Sequence, residues 1–362
     1  MAKIAISAAE TSGDLIGSTL IQALKMQDPT LQIEGLCGEK MQAHGCTQRW
    51  NMRMVNVMGF SEVLKKLPSL LRLRKVIVAY FLRNKPDVFI GVDAPDFNFV
   101  IETKLKKQGV KTVHFVSPSV WAWRASRVKK IKRASDLMLC LFPFEVDFYT
   151  QHNQRAVFVG HPLAEKLTPR TNHQAGKNIL LMPGSRAGEV KRLLPEMLLA
   201  AKSMLQQDPA LKFHLVLAND ELLEWAQELV ASQTVSLSIN DAHERMQTAD
   251  LVLVASGTAA LELALVGVPM VVVYKLSALS YFIASKLVTS KFISLPNVIA
   301  NKALVPELIQ TQASGNNIAQ HAMHILKSDQ SALVAEFGKI HKSLQLDAGH
   351  ESAKLILKFI HE

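Results

Sequence analysis

The feature that most constrains this chain is an alternation. Short, continuously apolar runs are followed by longer stretches with helical spacing, along nearly the whole sequence. Ile4–Ala8 is the first such run; a polar turn, Glu10–Asp14, and a helical stretch, Leu15–Lys25, follow it. Leu31–Leu36, Val88–Val92, Thr112–Val116, Leu137–Leu141 and Val157–Val159 continue the series. After the polar stretch Thr168–Asn178 it restarts with Ile179–Met182, Phe213–Ala218, Val235–Ile239, Leu251–Ala255 and Met270–Tyr274. Strands apolar on both sides and separated by helices predict a parallel sheet with helices on both faces. Thr168–Asn178 carries proline and glycine without apolar periodicity, which marks a linker. The 362 residues are too many for one ordinary domain. The expected fold is therefore α/β, two doubly wound Rossmann-like domains facing a cleft. Residues 1–167 and 168–338 are the expected domains, with 339–362 a C-terminal helix packing back on the first. In such sheets ligands sit beyond the carboxyl ends of the strands, so the turns there should carry the chemistry.

Several classes are disfavoured. Three widely spaced cysteines, Cys37, Cys46 and Cys140, make neither a disulfide framework nor a Cys-x-x-Cys site and suit a reducing compartment. The opening residues do not read as a signal peptide. No uncharged apolar run approaches the roughly 18–20 residues that span a bilayer, so a soluble or peripheral protein is expected. Neither His-Glu-x-x-His nor paired cysteines occur, and no bound metal is expected. The net charge of +10 favours polyanionic partners. Nearly all of that excess lies in residues 101–133, where Lys129, Lys130, Lys132 and Arg133 cluster. A solvated helix face, an anionic lipid surface and a substrate phosphate all fit it. The usual nucleic-acid signatures are missing, and no nucleic acid is expected as a partner.

Five strand-end segments are candidates. Glu10 and Ser12 lie in the first turn, where a helix cap competes with ligand contact. Asp93, in GVDAPDFN, ends a strand where a carboxylate could accept a proton from a substrate hydroxyl; a turn aspartate is the alternative. The loop SPSVWAWR brings Trp121, Trp123 and Arg124 beyond the next strand, and two large aromatics there should line a pocket or pack under a loop. In PGSRAGE, Gly184, Ser185 and Arg186 offer backbone, hydroxyl and guanidinium donors to an anion. In ASGTAALE, Ser256, Gly257 and Thr258 open a helix suited to a diphosphate, with Glu262 a turn further on, placed for ribose hydroxyls. Separately, residues 61–83 form a basic amphipathic stretch. Val63, Leu64, Leu67, Leu70 and Leu71 recur at helical spacing and suit membrane contact, whereas Val76–Leu82 suits core packing. Pro68 is expected to end one short helix and start another.

GVDAPDFN, VSPSVWAWR, FPFE, VGHPL, MPGSRAGEV, SGTAALELAL and SLPNVIANKALVPELIQ occur in order from Ile4 to Gln310. Together they resemble the lipid-A-disaccharide synthase family of GT-B glycosyltransferases. The resemblance implies a donor, UDP-2,3-diacylglucosamine, and an acceptor, 2,3-diacylglucosamine 1-phosphate (lipid X). It implies a β-1,6 bond formed with inversion, no metal and no cofactor. It implies a homodimer that exchanges C-terminal domains, at the cytoplasmic face of a Gram-negative inner membrane. Asp93 matches the family's proposed general base, Asn297 another active-site position, and Glu10 and Ser12 its first turn. Ala9, Thr11 and Asn301 depart from the family's usual glycine, alanine and glycine. An epimerase or the peptidoglycan glucosaminyltransferase would share the donor loops but not the SPSVWAWR loop. A nucleic-acid-binding α/β protein would leave those loops without a purpose.

Overall fold

The computed structural model describes residues 2–55, 60–123, 125–171, 176–230 and 234–362; the side chains of 60–66 and 125 lie outside that description. The chain forms two compact units, Met1–Pro162 with Leu344–Glu362, and Leu163–Ser343.

The first unit opens with β1 (Lys3–Ala8), α1 (Thr11–Gln27), β2 (Gln32–Cys37), α2 (Glu39–Ala43), β3 (Thr47–Asn51) and α3 (Phe60–Arg83). It continues with β4 (Val88–Val92), α4 (Pro95–Lys106), β5 (Lys111–Phe115), α5 (Val120–Trp123), α6 (Val128–Ala134), β6 (Leu137–Cys140), α7 (Pro143–Gln151) and β7 (Ala156–Phe158). These strands make one seven-stranded sheet in the order β3-β2-β1-β4-β5-β6-β7, and every pairing is parallel. Ile4, Ile6, Val88, Ile90, Val113 and Leu139 point to one face, where Leu20, Ile21 and Leu24 of α1 cover them. Phe89 and Ala5 belong to the other face, covered by Leu73, Ile77 and Phe81 of α3 and Ile101 of α4.

The chain leaves through α8 (Pro162–Lys166). The second unit holds β8 (Asn178–Met182), α9 (Ala187–Gln207), β9 (Lys212–Leu217), α10 (Asp220–Val230), β10 (Val235–Ile239), α11 (Ala242–Thr248), β11 (Leu251–Ala255) and α12 (Thr258–Val266). After them come β12 (Met270–Tyr274), α13 (Ala278–Leu287), α14 (Leu295–Ala300), β13 (Glu307–Ile309), α15 (Gly315–Lys327) and α16 (Ser331–Leu344). Its sheet is six-stranded and parallel, in the order β10-β9-β8-β11-β12-β13. The last helix, α17 (Ala348–His361), belongs to the first unit. Ala353, Ile356 and Phe359 join the α1 face of its core, and Arg155 grips the Glu362 carboxylate with two hydrogen bonds of 2.6 and 2.9 Å.

Two parallel sheets, each flanked by helices, make two Rossmann-like domains of the GT-B type. Each apolar run named from the sequence forms a strand. Two strands gave no apolar signal: β3 (TQRWN) is polar and at a sheet edge, and β13 (ELI) has three residues. Pro68 does not divide α3, which runs unbroken from Phe60 to Arg83. A proline removes one ladder bond. The buried anchors Leu73, Ile77, Val78 and Phe81 all lie beyond it and hold the helix to the sheet.

Candidate active site

In both sheets the strand order reverses between two neighbours, β1 and β4 in the first and β8 and β11 in the second. The connections run away in opposite directions there and leave a crevice at the strand ends. Glu10, Ser12 and Asp93 gather at the first of these points, and the 184–186 and 256–258 loops at the second.

At the first, Ser12 Oγ donates to Asp93 Oδ2 at 3.0 Å, and Ala94 N donates to Asp93 Oδ1 at 2.8 Å. Glu10, Ser12 and Asp93 thus form one cluster. Burial, and then the nearby Asp93 carboxylate, pushes the Glu10 carboxyl above its usual range. α1 begins directly after Glu10, and a Cβ on Gly13 would stand 3.2 Å from Val92 O, so glycine lets the helix start close to β4. Asp14 serves a different helix from its own. Its carboxylate accepts from Gly38 N, Lys40 N and Met41 N at 2.8, 3.1 and 3.3 Å, capping α2.

The backbone is strained where Asp93 sits. Asp93 (φ 53°) and Ala94 (φ 41°) are left-handed, and so is Val116 (φ 79°) at the end of the adjacent β5. Such positions cost on the order of 1–3 kcal/mol each and persist only where the surroundings impose them. Asn98 supplies that imposition. Fully buried, its Nδ2 donates to Ser7 O, Val92 O and Asp93 O at 3.2, 3.2 and 2.9 Å, and its Oδ1 accepts from Ser7 Oγ at 2.7 Å. Asn98 closes the DAPDFN segment, and nothing in its local spacing assigns it a role. Its position one helical turn after the strained pair was the available signal.

Beyond β5, Trp121 packs edge-on against Phe144 at 4.8 Å, while Trp123 is exposed. Arg124 lies outside the described residues. Beneath the loop is a carboxyl that sequence reasoning missed, Glu145 of the FPFE segment. Burial pushes it up to about 8, against hydrogen bonds from Phe142 N, Ser117, Leu141 N and Trp121. Tyr149 and Ser117 share a 2.9 Å hydroxyl bond beside it. Close by, the His161 ring lies tilted against Phe142, centroids 5.1 Å apart, and burial lowers it to about 4. The two groups oppose each other in stability. Between about pH 4.5 and 6.5 the folded chain keeps a proton on Glu145 that the unfolded chain lacks, and lacks one on His161 that the unfolded chain holds. Their slopes cancel. From pH 6.5 to 8 only Glu145 of the two remains, and its contribution to stability falls by about 1.4 kcal/mol per pH unit. Glu145→Gln is expected to flatten that fall. Melting curves at pH 6.5 and 8 check it, and an unchanged slope would return Glu145 to ordinary titration.

In the second unit a cavity of about 540 Å³ is lined by Gly184, Ser185, Arg186, Ser256, Gly257 and Thr258, with Glu189, Asn240 and His243 also on its wall. Six of the residues expected to hold the donor therefore share one space. Gly184 is left-handed (φ 108°), and a Cβ there would come 2.2 Å from Glu189 Oε2, so this turn requires glycine. Burial raises the Glu189 carboxyl, against the pull of Arg186. The α12 N-terminus opens at Thr258 onto the cavity and brings the positive end of the helix to it. Glu262 does not line the cavity. It is half-buried on α12 near His243, and burial raises its carboxyl, against His243 and then Lys166.

Asn297 is buried and does not line this cavity. Its Nδ2 donates to Val305 O and Glu307 Oε1 at 2.9 and 2.8 Å, and its Oδ1 accepts from Leu304 N and Val305 N at 2.8 and 3.0 Å. Glu307 also accepts from Ile293 N, Ser294 N and Ser294 Oγ at 3.0, 2.9 and 2.6 Å. Ile293 O in turn receives Ser256 Oγ at 3.1 Å. The SLPN loop is thus a hydrogen-bonded brace reaching the cavity wall. Asn301 ends α14 in the left-handed region (φ 50°), where asparagine is the usual substitute for glycine. The departure from the family's glycine therefore preserves the turn.

On α3, Leu67 and Leu71 are exposed, whereas Leu70 packs against the core; the side chains of Val63 and Leu64 lie outside the described residues. Val76 and Leu82, expected in the core, are also exposed, because the buried stripe of this stretch is Leu73, Ile77, Val78 and Phe81. Lys129, Lys130, Lys132 and Arg133 lie on the solvated face of α6. Among the described residues no cluster of three or more His, Cys, Asp or Glu could hold a metal, and no helix is long and apolar enough to cross a membrane.

Solved structures share this fold. A UDP-N-acetylglucosamine 2-epimerase from Neisseria meningitidis bound to UDP-GlcNAc aligns with a TM-score of 0.64 at 12% identity, covering 99% of each chain. The glycotransferase of kitacinnamycin aligns at 0.65 and 13%, covering 98% of each. Sequence relatives are nearer. Lipid-A-disaccharide synthases of Saccharophagus degradans and Pseudomonas aeruginosa are each 42% identical, covering 99% of this chain and 97% and 98% of theirs. The family model described as lipid-A-disaccharide synthetase matches residues 4–357. The chain belongs to the lipid-A-disaccharide synthase family of glycosyltransferases.

Proposed function

We propose that this lipid-A-disaccharide synthase transfers 2,3-diacylglucosamine from UDP-2,3-diacylglucosamine to the 6-hydroxyl of 2,3-diacylglucosamine 1-phosphate. The products are the β-1,6 disaccharide 1-phosphate and UDP. The first unit serves the acceptor and the second holds the donor. The observation that carries the reading is the second-unit cavity, with a guanidinium and a helix N-terminus facing one space.

In the proposed step Asp93 takes the acceptor's 6-hydroxyl proton as the oxygen attacks the anomeric carbon. The bond to the UDP oxygen breaks in the same step, which inverts the centre. Ser12 holds one Asp93 oxygen in place. Arg186 and the α12 amides meet the charge that grows on the leaving diphosphate. Glu10 and the Trp121–Trp123 loop border the acceptor, and Glu262 is assigned to the donor ribose through the His243 side of the cavity. Asn297 and Glu307 hold the wall to which Ser256 is attached. A homodimer with exchanged C-terminal domains, working at the cytoplasmic face of an inner membrane, completes the reading. Leu67 and Leu71, exposed on α3 with Val63 and Leu64 on the same helix, supply lipid contact.

The test is turnover of purified protein with both lipid substrates in EDTA, following UDP and disaccharide together. Equal amounts of both are expected. UDP without disaccharide would indicate a hydrolase or an epimerase-like enzyme, and no UDP at all would remove the donor assignment.

A further inference from the structure

α13 is out of keeping with its surroundings. It is a ten-residue helix with no buried residue. Leu279 is 72% exposed, Phe282 59% and Ile283 51%, and Tyr281, Leu287 and Val288 are exposed too. Leu279, Phe282, Ile283 and Leu287 recur at the spacing that puts side chains on one helix face. A helix this short is marginal in water, and this one gains almost nothing from core burial. Its N-terminus is capped by Ser277, whose Oγ accepts from Ser280 N at 3.2 Å.

The charge around it indicates what covers it. From Lys275 to Pro306 the chain has lysines at 275, 286, 291 and 302 and no acidic residue. Lys275 and Lys302 are neutralised by Glu196 and Glu336, at 2.6 and 3.0 Å. Lys286 and Lys291 make no ion pair among the described residues. Their ammonium groups stand 4.0 and 5.2 Å from the Phe282 and Phe292 ring centroids, at the border of the apolar patch. An apolar helix with aromatics, flanked only by lysine, suits the interface of an anionic bilayer: side chains enter the acyl boundary and ammonium groups meet headgroup phosphates.

We propose that α13 is a lipid-contacting helix of the second unit that lies on an anionic membrane surface. It is separate in sequence and in unit from the α3 stretch, and it does not depend on the catalytic reading, because the binding is measured without substrate.

The experiment is sedimentation of the full chain with vesicles of phosphatidylcholine alone or with phosphatidylglycerol. Leu279→Ser/Phe282→Ser/Ile283→Ser is expected to lower partition onto the anionic vesicles by roughly tenfold. Lys286→Glu/Lys291→Glu is expected to lower it similarly on anionic vesicles and to leave the neutral ones unchanged. Leu67→Ser/Leu71→Ser should weaken binding independently, so the α13 loss persists in that background. Wild-type partition by both α13 variants would overturn the proposal. A change in molar mass by light scattering in the triple variant would overturn it in favour of a contact between copies. Should the triple variant fail to fold, the charge-reversal pair still decides. Loss of turnover on detergent-dispersed substrates, with vesicle binding intact, would make α13 part of the substrate site and would also overturn it.

Discussion

Replacing Asp93 by asparagine is expected to slow disaccharide formation by roughly 10²- to 10⁴-fold, the range typical of losing a positioned proton acceptor. Asparagine is the informative substitute. It tolerates the left-handed backbone at φ 53°, and its side-chain oxygen can still accept from Ala94 N or Ser12 Oγ. Melting temperature and UDP affinity should therefore stay at wild-type values, since Asp93 lies in the first unit and the donor cavity in the second. Alanine would add backbone strain to the loss of the carboxylate and confuse the two. The acid limb of the pH–rate profile provides a second check. Glu10, held above its usual range mainly by burial and secondarily by Asp93, takes up a proton as the pH falls. Glu10→Gln should therefore alter the acid limb without abolishing turnover. Near-normal rates in Asp93→Asn would remove this residue from the proton transfer and leave the cluster a structural one.

Arg186→Ala is expected to weaken UDP binding by about 10- to 100-fold, the equivalent of one charge-assisted hydrogen bond to phosphate. The guanidinium is exposed at the N-terminal cap of α9 on the cavity wall; its removal takes one cation from the half-buried Glu189 carboxyl and leaves Arg192 beside it. Arg186→Lys should recover part of the affinity, because an ammonium restores charge without the two-pronged geometry. Calorimetry with UDP and with uridine separates the cause. Uridine, lacking phosphate, should bind wild type and Arg186→Ala alike. An equal loss for both ligands would mean that the cavity wall had collapsed and that Arg186 supports the loop instead of the diphosphate. The α12 amides remain in the variant, so binding should be weakened and not abolished.

The candidate loops were readable because a parallel sheet sends every strand's carboxyl end to the same edge. Once Val88–Val92 and Leu251–Ala255 are strands, Asp93 and Ser256 must lie at that edge. The residues that hold those loops were not readable. Asn98 bonds Ser7 across ninety-one positions, Asp14 caps a helix that starts twenty-five residues later, and Glu307 gathers Ile293, Ser294 and Asn297 of the SLPN loop onto one carboxylate. Polar residues of this kind leave no periodicity, and their partners are distant in sequence. Glu145 is a harder case: a glutamate at the third position of a helix reads as an ordinary capping residue until the aromatics around it are seen to remove its water.

The sequence by itself determined the alternation of strands and helices, the parallel character of both sheets and the edge at which the chemistry gathers. Each of these follows from local apolar spacing, which acts within a few residues. The tertiary structure decided which polar groups meet, which carboxyls are pushed out of their usual range, and where an apolar surface is left uncovered. α3 and α13 show the difference. Both are rich in apolar residues, yet α3 buries Leu73, Ile77, Val78 and Phe81 against a sheet while α13 buries nothing. Whether an apolar face is core or surface depends on whether another element packs over it, and that is a property of the folded arrangement, which the spacing along the chain does not contain.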